Sequence, residues 1–204
     1  MVQASAHSGA FRVLRGLRGL FSGRLAQGAL FLILIGALFP AAFAAERGPI
    51  LSLKEIRERG VVMQRYETSC AAASVATVLT YGFRDAVSEK YVAVLMLEET
   101  DPAKVRTRGG FSLLDMKRFV EGRGYRGQAY RNLSLDDLVL FHAPIVPIDP
   151  LGYNHYVVFN GIDGDHVLLA DPAFGNRRMK IDRFQDLWLD GLAFVIIRDL
   201  EGLR

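Results

Sequence analysis

Apolar positions along the chain change their spacing near Gly124, and that change predicts the fold class. Ahead of it they recur at the three-to-four residue interval of amphipathic helices. A short helical pattern, Leu53 to Arg59, is closed by Gly60. A helix is predicted from Ser69 to about Tyr81, stopping at Gly82, and a second from roughly Ala86 to Glu98 with Val87, Tyr91, Val94 and Leu95 as its apolar positions. A loop with Pro102 and Gly109-Gly110 follows. The third helix, Ser112 to about Glu121, opens with Ser112 placed as cap and Asp115 three residues on, a start resembling a capping box.

Beyond Gly124 the period becomes two, the spacing of strands. The predicted elements are a strand Tyr125–Tyr130, a short helix Ser134–Phe141, a buried strand Pro144–Ile148, a helix near Ile181–Leu189 and a last strand Leu192–Arg198. Between them, His155–Ile162 and His166–Ala170 flank Asp163-Gly164-Asp165, a hairpin signal. Helices first and antiparallel strands second make an α+β domain, not an alternating doubly wound sheet.

The hairpin carries a geometric expectation. A three-residue loop of Asp163, Gly164 and Asp165 sets His155 opposite Ala173 and makes Asp171 its diagonal neighbour on the same face. A two-residue loop shifts the pairing by one and sends Asp171 to the other face. The three-residue register is the one expected, and in it the second ring nitrogen of His155 is free to face Cys70.

The N-terminal 44 residues read as an export signal. They hold no Asp or Glu, and their charges are Arg12, Arg15, Arg18 and Arg24. The apolar run Ala29–Phe39 follows, then Ala42-Phe43-Ala44, the small-x-small pattern before a cleavage point. The apolar stretch Ala29–Ala45, 17 residues, is at the lower limit for a membrane span, so cleavage after Ala44 is expected over an uncleaved anchor, and contact with a membrane is expected only if the leader stays. The expected division is a leader over 1–44 and one domain over 45–204, exported to the periplasm. Removing four arginines from 25 Lys+Arg leaves 21 against 22 Asp+Glu, so the basic character belongs to the leader and nucleic-acid binding has no electrostatic support. No phosphate-binding Gly-x-x-x-x-Gly-Lys loop is present.

The chain contains one cysteine, Cys70, so it forms no disulfide within itself. It stands at the start of the alanine-rich helix Cys70-Ala71-Ala72-Ala73-Ser74, where unpaired N–H groups and the helix dipole favour a thiolate. A thiolate that attacks a carbonyl needs a base to hold a proton and return it to the leaving amine, and His155 suits that role. Asp171 would fix the tautomer of the ring. The developing oxyanion would take the Cys70 amide and the side chain of Gln64, each such donor being worth about 2.7–4 kcal/mol of barrier. Singly, each residue has an ordinary reading: a buried small hydrophobe, a hydrogen-bonded core histidine, a turn former before Pro172, a polar loop residue. Their joint order is more specific than any one of them. His142 and His166 lack zinc-ligand spacing, and neither a cofactor nor a metal is expected.

Three stretches carry a family resemblance: Gln64–Ala73; Phe111-Ser112-Leu113-Leu114-Asp115-Met116-Lys117; and Asn154-His155-Tyr156-Val157-Val158 with Asp171-Pro172-Ala173-Phe174-Gly175. Trp188 and Gly191 ahead of a strand add to it. The chain resembles the bacteriocin-processing, papain-like cysteine peptidases that remove double-glycine leaders, over about residues 61–198. The resemblance implies Cys70 as nucleophile, His155 as base, Asp171 as orienting acid and Gln64 as oxyanion donor. Among these peptidases it is most similar to stand-alone exported members that accompany functional-amyloid secretion systems. That implies an exported protein or peptide substrate such as an amyloid subunit, and an outer-membrane pore as a further partner. Where the family has Asp-Cys-Gly, this chain has Ser69-Cys70-Ala71, so the Ala71 methyl is expected to crowd the approaching peptide. The second reading is a papain-like binding module or chaperone that keeps the cleft without turnover.

Overall fold

The change of spacing at Gly124 separates two layers of the structure, a computed structural model that describes residues 50–150 and 152–198. The leader expected over residues 1–44 lies outside the described residues. Among the described residues, five α-helices come before Gly124: α1 (Leu53–Glu58), α2 (Cys70–Thr77), α3 (Glu89–Glu98), α4 (Pro102–Arg108) and α5 (Leu113–Gly122). After it come β1 (Tyr125–Tyr130), α6 (Leu135–Leu138), β2 (Ile145–Ile148), β3 (His155–Asp163), β4 (His166–Asp171), β5 (Gly175–Lys180), α7 (Ile181–Leu187) and β6 (Ala193–Arg198). The strands form one sheet in the order β1-β6-β2-β3-β4-β5, each antiparallel to its neighbour. This is the expected α+β arrangement.

Strand alternation divides the core in two. On one face Tyr156, Val158, Ala170, Phe194 and Ile196 pack with α2, α3 and α5 through Val75, Leu79, Met96, Met116 and Val120. On the other, Val146, Ile148, Val157, Phe159, Val167 and Leu169 pack with Leu138 of α6 and Phe184 and Leu187 of α7. Full burial of a side chain such as Phe184 or Phe194 is worth about 1.5–3 kcal/mol. Helix α2 lies inside the first cluster, and all eight of its residues are buried. Alanines at 71, 72 and 73 allow this, because they let neighbouring backbones approach from every side. A π-helical turn, Val78–Gly82, continues α2 to the predicted stop.

Four expectations need correction. Helix α3 starts at Glu89, where the Ser88 hydroxyl accepts the Tyr91 amide, and its buried stripe is Glu89, Val92, Ala93 and Met96. Tyr91 and Val94 are about half exposed. The stripe begins on a buried carboxylate, so apolar periodicity does not reveal it. Residues 102–108, read as loop, form α4, whose start is set by the Asp101 cap and Pro102 in the first turn. Strand β5 was not anticipated because Asn176, Arg177, Arg178 and Lys180 make it a polar edge strand.

The hairpin loop is the fourth. Asp163 pairs with His166, so the loop holds two residues, Gly164 and Asp165. The pairing then shifts: Ile162 faces Val167, but Phe159 faces Leu169 and Val158 faces Ala170. Asn160 and Gly161 together oppose Leu168, a β-bulge, and Gly161 takes φ 106°, a conformation glycine adopts without strain. Beyond the bulge the register is the one that the three-residue loop would have set.

Candidate active site

Three elements meet around Cys70. The first is α2, which presents Cys70 in its opening turn. Ser69 precedes it but does not cap the helix with its side chain; its hydroxyl donates instead to the Tyr66 carbonyl and to Glu89. The amides of the first turn are therefore not consumed by a cap. Glu89, only 4% exposed, also accepts the amides of Arg65 (2.8 Å) and Tyr66 (3.3 Å), fixing the loop that delivers the cysteine.

The second is the β3–β4 pair. With Val158 opposite Ala170, Asp171 becomes the diagonal neighbour of His155, and His155 Nε2 lies 2.9 Å from Asp171 Oδ1. Both side chains are buried, the aspartate completely. Oδ1 also accepts the amides of Ala173 (2.8 Å) and Phe174 (3.2 Å), and Oδ2 accepts Nη1 of Arg177 at 2.9 Å. With Nε2 engaged by Asp171, the ring presents its other nitrogen to Cys70. Burial alone would push His155 down, but hydrogen bonds and charge from Asp171 and Cys70 carry it up to about 9. Burial would likewise raise Asp171; its bond to His155, the Ala173 amide and Arg177 outweigh that and hold it below the usual carboxylate range.

The third is the wall opposite the strands. A cleft at Cys70 is lined by Arg108, Gly109, Gly110, Phe111, Ser112, Asn154 and Tyr156. Asp115, 4% exposed, ties this wall together: it accepts Arg108 Nη2 at 3.0 Å and the Ser112 amide and hydroxyl, each at 2.7 Å. Burial and the Cys70 charge push Tyr156 up to about 12, so its phenol stays protonated. Ala71 is not in the cleft. It is fully buried in the helix-side core, so its methyl faces packed side chains and does not crowd a peptide.

Cys70, His155 and Asp171 thus lie in one connected chain of contacts. Gln64 is joined to them through its backbone, whose amide donates to Pro172 O at 2.8 Å. Its side-chain Oε1 is buried and has no hydrogen-bond partner among the described residues. Arg177 and Glu89 were missed by sequence reasoning. Arg177 could be found only after β5 was recognised; Glu89 looks in sequence like the solvated start of a helix.

The histidine shift fixes a pH dependence. A ring that holds its proton more tightly folded than unfolded contributes its full stability below about 6.5, and loses it as pH rises through about 9. A gap of that size is worth on the order of 3 kcal/mol. The urea unfolding midpoint is therefore expected to fall between pH 6.5 and about 9.5, and to fall less in His155→Gln. Equal declines in both chains would assign the effect to other groups.

Comparisons with known proteins bear on the family and the fold. The Peptidase C39 family profile matches residues 58–199. Proteins described as probable functional amyloid protease FapD, from Pseudomonas aeruginosa and Pseudomonas fluorescens, are each 37% identical over 148 and 147 residues. Those matches cover 72% of this chain and 65% and 64% of the relatives, so the chain spans about two thirds of their length. Among solved structures, the peptidase domain of Streptococcus ComA, a bi-functional ABC transporter involved in quorum sensing, aligns with a TM-score of 0.58 at 23% identity, over 68% of this chain and 98% of that one. A double glycine motif protease from an AMS/PCAT transporter, solved in complex with its leader peptide, aligns with a TM-score of 0.57 at 24% identity, over 68% and 91%. At these identities the two structures speak for the fold, which is papain-like.

Proposed function

The chain belongs to the Peptidase C39 family, and from that premise we propose that it is a periplasmic cysteine endopeptidase that processes an exported protein in a functional-amyloid secretion pathway. The observation that carries the chemistry is the buried His155–Asp171 pair with Cys70 as the other partner of the ring. Cys70 Sγ attacks the scissile carbonyl carbon, and the imidazolium of His155 gives its proton to the leaving amine. Asp171 stays ionised and holds the ring. Water, deprotonated by His155, then hydrolyses the thioester and restores the thiol. The Cys70 amide and the Gln64 side-chain N–H groups hold the oxyanion, the role that the family resemblance implies for Gln64.

The position of the Ala71 methyl in the core removes the residue-level argument for a cleft without turnover. The pathway is supported by the likeness to the two amyloid-system relatives, and processing would follow export of the chain by its leader. The test is to express the chain with the functional-amyloid subunits of its own host and read their N-termini by mass spectrometry, with and without it. Subunit termini that appear only when the chain is present support the reading; identical termini in both strains overturn it.

A further inference from the structure

Both oxygens of the buried Asp171 carboxylate are engaged, and one partner has no place in the reaction above. Oδ1 serves His155 and the two turn amides, while Oδ2 serves Arg177 at 2.9 Å. Strand register puts Arg177 there. Asp171 faces Gly175 across β4 and β5, so the residue two positions on is its diagonal neighbour on the same face. The guanidinium also lies over the Phe174 ring, 5.1 Å from its centroid, and the side chain is 34% exposed. Gly175 makes the tight turn possible: it has φ 77°, and a Cβ there would lie 2.6 Å from the Arg57 carbonyl.

We propose that Arg177 is a positioning residue of the His155–Asp171 pair: it takes the carboxylate oxygen that the imidazole leaves free and neutralises part of the charge presented to the ring. The placement rests on geometry alone; its catalytic consequence rests on the peptidase reading. With both oxygens held, the carboxylate cannot rotate away from His155. Arg177 also moderates the base. A carboxylate whose only counter-charge was the imidazolium would hold that proton harder, and His155 must release it to the leaving amine. The other groups facing the pair are Cys70 from α2, acting on the ring, and Tyr153, whose ring centroid lies 6.5 Å from that of the imidazole. Arg57 and Arg178 line the same groove as Arg177, and Arg178 is paired with Asp163 at 3.0 Å.

The test is an NMR titration of the His155 ring in the full-length chain and in Arg177→Gln and Arg177→Lys. Removing the guanidinium charge is expected to raise the titration midpoint by about one pH unit, and lysine to return it toward wild type. Loss of packing alone would not raise the midpoint and would not be repaired by lysine's charge. A midpoint in Arg177→Gln that is unchanged or lower, in a chain with a native spectrum, overturns the proposal. Should glutamine unfold the turn, Arg177→Met, which refills the space over Phe174, makes the same comparison. A wild-type ring titrating near the ordinary 6.5 would count against the peptidase pairing itself, and the sign of the difference between variants would still decide the role of Arg177.

Discussion

Replacing Cys70 with alanine is expected to lower substrate cleavage by about 10⁴-fold or more, with the fold retained. Without Sγ no thioester forms, and the remaining amide donors and binding contacts give only the residual catalysis that such sites show without a nucleophile. The structural cost is small. Position 70 is 6% exposed and continues into a row of buried alanines, so losing one sulfur atom costs about 1 kcal/mol. His155→Ala is expected to be as inactive, but it leaves Asp171 buried with Arg177 as its remaining side-chain partner and so mixes stability with chemistry. Cleavage measured by mass spectrometry beside a thermal melt separates the two. An alanine variant within tenfold of wild type would place the nucleophile elsewhere.

Deleting Asn160 and Gly161 together is the second large effect, expected to remove at least about 10²-fold of activity although no proposed catalytic residue is altered. Between the two-residue loop and the site, the bulge at Asn160-Gly161 restores the pairing by one position. Removing Gly161 alone would leave Asn160 opposite Leu168 and the site in register, whereas removing both residues leaves β3 one residue short of β4, and a one-residue slip turns alternate side chains to the opposite face. Asp171 would then leave the face of His155, and Val157, Phe159 and Leu169 would lose their places in the core. Gly161→Ala is the control: it keeps the residue count but strains a φ of 106°, costing about 1–3 kcal/mol of stability with activity retained below the melting range. If the deletion variant cleaves normally, the bulge does not set the alignment.

These two cases mark how far the sequence could be read. The placement of the three proposed site residues is legible, because each sits where local rules put it: Cys70 in the opening turn of a helix, His155 opening a strand, Asp171 closing the next. The register was less so, since the turn residues allow more than one loop length and the compensating bulge carries no signal beyond a glycine inside an apolar run. Helix α4 carries a start signal in Asp101-Pro102, but the same proline with the glycines that follow also reads as loop. Strand β5 and the buried face of α3 were hidden for a common reason: charged side chains occupy positions where pattern reading expects solvent, and tertiary partners (Asp171 for Arg177, the loop before Cys70 for Glu89) receive them. From sequence the Ala71 methyl is expected beside the cleft because it directly follows Cys70, whereas the helix turns it inward.

A helix enclosed on every side has a consequence for how the specificity of such a protein can change. The sulfur is anchored in a fully packed part of the molecule, so in the proposed reaction accommodating a different peptide cannot come from shifting Cys70 without disturbing the packing around all eight residues of α2. Adaptation is left to the surrounding surface segments, chiefly the 108–112 wall braced by Asp115 and the turn after Asp171. Substitutions there could remodel recognition while the reactive centre stays where it is.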